Sequence, residues 1–160
     1  NYMAFTTNQL TTLATHIKAN TDPAVVAALA ARNDGVIAEI YNGEGTTVVW
    51  KTSVSNYDLF ENTDVAKFDN LTAGKRDAWR LLLDFAPVNF SRGKTRKAVQ
   101  DVWGNTDSVS ILQAGTRTAL KIEEVFGGNV VTTNTVSATK LNYEGAVSTY
   151  DISVALNNNP

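Results

Sequence analysis

Cysteine is wholly absent from this chain of 160 residues, which excludes disulfides and thiolate metal sites and removes the usual clue to redox compartment. Histidine occurs once, at His16, so a histidine-rich metal centre lacks a second ligand and a nucleophile–histidine–acid triad has a single base to draw on. Charge is scarce as well: 19% of the residues are charged and the formal net charge is −2. That balance argues against a dedicated nucleic-acid binder, whose surface carries an excess of cations. No apolar run reaches the roughly 20 residues that span a bilayer, and no stretch has the layout of a secretory leader. No membrane partner is expected. Asn1 and Tyr2 precede Met3 and read as a cloning remnant, with the natural chain starting at Met3.

What is present suffices for a core. The length suits one domain, and 43% of the residues are apolar. The chain is organised around residues 71–103, which read as two short helices joined at Pro87. Leu71, Ala78, Trp79, Leu82, Leu83 and Ala86 recur at helical spacing, with Thr72 as N-cap. Pro87 cannot continue that helix. Ser91 is the expected cap of the second helix, Ala98, Val99, Val102 and Trp103 form its stripe, and Gly104 is its stop. Trp79 and Trp103 each have a large apolar area to bury there.

On the N-terminal side, Thr6 or Thr7 opens a helix to about residue 19, with Leu10, Leu13, Ala14 and Ile17 on one face. Asp22 followed by Pro23 is a strong start signal for an alanine-rich helix to Arg32. Asn33-Asp34-Gly35 is a break or a bend before a further helical run that ends at residues 42–45. Residues 46–55 are β-branched and read as a strand or an extended segment around Trp50; residues 56–70 read as short helical turns and loop. Thr106 or Asp107 opens a third long helix to about Phe126, with Gly115 as the weak point inside it. From residue 129 the chain turns Val-, Thr- and Ser-rich, and rough period-two alternation through residue 156 predicts a β-hairpin or arm. The expected class is α+β, mainly α. A compact body of about five helices covers residues 3–128. The β-rich arm, 129–156, packs on that body or on a neighbouring subunit, because a lone hairpin is marginal in water.

Few constellations suggest chemistry. His16 sits near a helix end and reads as a surface residue rather than a general base. Asp58, Glu61, Asp64 and Asp69 are hard oxygen donors, and Asp58, Glu61 and Asp64 form the one grouping an enzyme of the metal-dependent hydrolase type could use, but they lack the spacing of a calcium loop. Arg80 can reach Asp77 and Asp84 along one helix, and this reads as structural pairing. Glu123 and Glu124 point to different sides of a helix. Residues 91–97 (SRGKTRK) hold the densest positive cluster; Gly-Lys-Thr there mimics a phosphate loop, but Val88 stands where the earlier glycine is required and a helix precedes it instead of a strand. Arg92, Lys94, Arg96 and Lys97 remain candidates for contact with phosphates or an acidic partner. No catalytic residue, metal ligand or cofactor site is expected.

Residues 10–31 (LTTLATHIKANTDPAVVAALAA), 48–54 (VVWKTSV), 71–84 (LTAGKRDAWRLLLD) and 141–153 (LNYEGAVSTYDIS) together resemble, in the same order, a family of small structural and morphogenesis proteins of tailed bacteriophages and prophages. The resemblance implies a virion protein without catalytic activity, of the neck, the head–tail connection or head completion, or else of the tail or capsid decoration. It implies residence in the virion, with host cytoplasm the place of assembly, and partners that are copies of itself and other phage structural proteins. An edge strand offers unpaired backbone groups to a neighbour, so Val130, Val136, Tyr143, Tyr150 and Ile152 are the candidate subunit contacts. The alternative is a module that contacts DNA through residues 92–97.

Overall fold

The computed structural model describes residues 5–160; the reading of Asn1, Tyr2 and Met3 lies outside the described residues. The fold is α+β and mainly α. Its contacts group into two units, one built from the chain up to Thr46 with Thr118–Gly128 and Leu141–Pro160, the other from Thr47–Arg117 with Asn129–Lys140.

In the first unit, α1 (Thr7–Ala19) is capped by Thr6, whose side chain accepts from the Gln9 amide while Gln9 returns a bond to the Thr6 amide. α2 (Pro23–Ala30) starts at Asp22-Pro23. The break before the third helix is real and lies at Arg32-Asn33: Arg32 has a φ of 52°, and Asn33 caps α3 (Asp34–Tyr41), which takes in Asp34 and Gly35. α8 (Lys121–Val125) and α9 (Thr149–Asn158) complete the unit. Its core gathers Leu13, Ile17, Val25, Ile37, Tyr41, Ile122 and Ile152, with α9 packed on α1 and α3.

The second unit holds α4 (Asn56–Glu61), α5 (Val65–Asp69), α6 (Ala73–Asp84) and α7 (Gly93–Ala114). Thr72 caps α6 as expected. Trp79 and Trp103 meet edge to face, with ring centroids 5.5 Å apart, inside a core that also buries Trp50, Leu59, Phe90, Ile111 and Leu112. A four-stranded sheet of β1 (Glu44–Trp50), β2 (Thr116–Leu120), β3 (Gly128–Thr133) and β4 (Val136–Leu141) has the order β2-β1-β4-β3. β1 and β4 run parallel with Val49 opposite Thr139.

Four expectations need correction. Nine helical segments are found among the described residues where about five were expected, because the loop-like stretches hold short capped helices. Ser91 does not cap α7; its hydroxyl turns back to Asn89 Oδ1 at 2.5 Å, and the capping position, Arg92, makes no side-chain cap bond. The third long helix is cut short: its residues from Thr106 to Ala114 are helical, but it does not run on to Phe126. α7 bends at Gly104, where φ is 78° and ψ −179°, then ends before Gly115, and Thr116–Leu120 is strand. A Cβ on Gly115 would lie 2.0 Å from Phe90 Cδ2, so the close approach of that ring accounts for a glycine here. The C-terminal β-arm is a hairpin only over β3 and β4, turned at Asn134 with a φ of 56° and held in the sheet through β1. Beyond it, Ser148 and Asp151 form a capping box, and Ile152, Ala155 and Leu156 bury one face of a helix.

Candidate functional site

The basic cluster divides once its side chains are placed. Arg92 and Lys94 are exposed at the start of α7 and form no ion pair among the described residues. Lys97, also exposed, reaches Asp101 Oδ2 at 2.6 Å, one turn along the helix. Arg96 faces the other way. It is 6% exposed, donates from Nη1 to the Phe90 carbonyl at 2.8 Å and from Nε to Thr133 Oγ1 at 3.0 Å, and lies 4.9 Å from the centre of the Trp50 ring. Burial pushes its pKa down from the usual guanidinium value, yet a guanidinium remains protonated at neutral pH. Arg96 therefore fastens α7 to β3 and Trp50, and it is not the phosphate contact the sequence suggests, because its Nε and Nη1 donors are turned away from solvent.

The single histidine is exposed, and its Nδ1 lies 2.7 Å from the hydroxyl of Tyr41, which also accepts from Asn20 Nδ2 at 3.1 Å. Burial raises the Tyr41 pKa above its ordinary value. His16, Tyr41, Glu44, Lys121 and Glu124 line a cleft of about 250 Å³ in the first unit, in which Glu124 accepts from the Thr46 amide at 3.2 Å. No group of three side chains able to ligate a metal occurs among the described residues. Glu123, adjacent to Glu124, is 1% exposed and spends its oxygens on the amides of Leu120 at 2.8 Å and Gly145 at 2.9 Å, a brace between α8 and the turn before α9. Sequence spacing shows only that these two carboxylates diverge.

The acidic residues of 56–70 stand on the surface. Asp64 caps α5 by accepting from the amides of Ala66 and Lys67, and Lys67 pairs with Asp107 at 2.8 Å, which holds its ammonium pKa above the ordinary lysine value. In the second unit an apolar cleft of about 320 Å³ is lined by Phe60, Thr63, Val65, Phe68, Trp79, Arg80 and Leu83. Phe60 is 59% exposed and Val65 58%, although both are large and apolar. Arg80 lies 5.7 Å from the Phe68 ring centre and 3.6 Å from Asp77; its expected bridge to Asp84 is not formed. The sequence carries a signal for this cleft, aromatic and aliphatic residues interleaved with carboxylates on two very short helices, too short to bury all of them.

Of the candidate subunit contacts, Val130 and Tyr150 are exposed. Tyr143 is half-buried between Phe5 and Phe126, with ring centroids 4.8 and 5.1 Å away. Val136 and Ile152 are interior side chains of their units and are withdrawn as contacts: one lies on the packed face of β4 and the other on the buried face of α9, not on an open strand edge. No family model, curated protein or solved structure matches this chain.

Proposed function

We propose that this chain is a non-enzymatic structural protein of a tailed-bacteriophage particle, of the neck, the head–tail connection or head completion, acting through subunit contacts. The observation that carries the reading is the open apolar cleft of α4, α5 and α6, with Phe60 and Val65 left to solvent. Apolar surface gains about 25 cal/mol per Å² when covered, so a face of this kind favours a protein partner over water. The four segments that resemble the phage family support the same reading and supply the particle as its setting. The partners are other phage structural proteins and copies of this chain; the place is the virion, with assembly in the host cytoplasm.

The DNA-contacting reading retains Arg92 and Lys94, but loses Arg96 to the interior and half of Lys97 to Asp101. Quantitative mass spectrometry of purified particles tests the proposal. A fixed number of copies per particle is expected, and absence from complete particles would refute it.

A further inference from the structure

Helix α7 begins without the features that usually satisfy a helix start. Its first turn holds no carboxylate, and the capping position is Arg92, which makes no side-chain cap bond. Ser91, the neighbour suited to cap it, is tied to Asn89. The amides of Gly93, Lys94 and Thr95 therefore have no acceptor among the described residues. Cations crowd the same turn: Arg92, Lys94, Arg96 and Lys97, of which Lys97 alone pairs with a carboxylate, Asp101 at 2.6 Å. A helix start carries about half a positive charge. Each of these side chains stands where that charge repels it.

Arg96 is an independent observation, made from the interior. It is 6% exposed, and its charge has no carboxylate partner among the described residues. Two of its nitrogens are spent, Nη1 on the Phe90 carbonyl and Nε on Thr133 Oγ1. Nη2 makes no hydrogen bond among the described residues, and it lies 3.5 Å from the position a Cβ would take on Gly93, the first residue of α7. The unspent end of a buried guanidinium thus stands at the uncapped helix start. A buried cation without a counter-ion is costly, and an anion at this point would offset the cost.

We infer that the start of α7 binds one phosphate group, free or as a monoester. The amides of Gly93, Lys94 and Thr95 and the exposed side chains of Arg92 and Lys94 are the donors that touch it. Arg96 acts from beneath as buried charge, through Nη2, and not as a surface contact. Donors arriving from several directions suit the tetrahedral oxygens of a phosphate better than the planar pair of a carboxylate. A chain of net charge −2 with so small a group of exposed cations suits a single anion rather than a long polyanion. The inference goes beyond the reading of the chain as a particle component and does not depend on it.

Backbone NMR of the full chain tests this at fixed pH and ionic strength, with inorganic phosphate in one series and glycerol phosphate in another. Saturable shifts of the Gly93, Lys94 and Thr95 amides are expected, with a rise in Tm that chloride and acetate do not reproduce; the ligand with the lower Kd identifies the source. Arg92→Glu with Lys94→Glu should weaken binding about tenfold or more. Arg92→Asp is the sharper variant, because an aspartate at that position caps the helix itself. It should raise Tm in phosphate-free buffer by about 2–4 °C and lose the response to phosphate, and the higher Tm also shows that it folds. No saturable shift at these amides in either series, acetate bound as tightly as phosphate, or an Arg92→Asp protein that responds as the parent does would overturn the site. Duplex DNA bound where neither phosphate ligand binds would assign the cations to a polyanion and overturn it as well.

Discussion

Replacing Arg96 by alanine removes two hydrogen bonds to a buried charged group and the cation over Trp50, so a loss of about 2–4 kcal/mol in urea unfolding is expected. Arg92→Ala and Lys94→Ala, at exposed positions, should each stay within about 0.5 kcal/mol. Equal, small effects at all three would mean that Arg96 is not the interior fastener described. Asp34 offers a second test. Its carboxylate accepts from Arg32 Nε at 2.9 Å and Ser153 Oγ at 2.6 Å, and the Arg32 bond, outweighing partial desolvation, holds its pKa below the ordinary aspartate value. A depressed folded-state pKa means stability that is complete above the unfolded value and vanishes as pH falls through the folded one. Asp34→Asn should therefore lower Tm near pH 7 and make little difference below about pH 3; a Tm gap that is constant across that range would contradict the assignment. Neither residue's role is legible in the sequence. Arg96 sits among three exposed cations, and only the three-dimensional approach of Trp50, Phe90 and Thr133 singles it out.

Elements with strong punctuation were readable. Thr6, Asp22 and Thr72 cap the helices their spacing predicts, and Gly104 interrupts a helix as a glycine with positive φ does. The misread elements lie where a short local pattern fits two periods. Residues 149–158 contain Tyr150, Ile152, Val154 and Leu156 in alternation, yet Ile152, Ala155 and Leu156 also fit a helix, and the Ser148–Asp151 capping box decides between them. Likewise, the run after Thr106 looks helical throughout until the Phe90 ring claims the space over Gly115. Gly115→Ala tests that account: overpacking against Phe90 should cost about 1–3 kcal/mol, read by chemical denaturation. A neutral substitution would show that the end of α7 is set by something other than this close approach.

For the molecule as a whole, the account places function on an outer face of the second unit rather than in a reactive group. The face itself was hidden, because Phe60, Val65 and Leu83 come from three helices, and nothing short of the fold brings them around one cleft. The most direct measurement is genetic complementation with Phe60→Glu and Val65→Glu, both at exposed positions and so compatible with folding. Circular dichroism and Tm should match the parent, while the yield of complete particles falls at least tenfold. Normal particle yield from stably folded double-substituted protein would contradict the account.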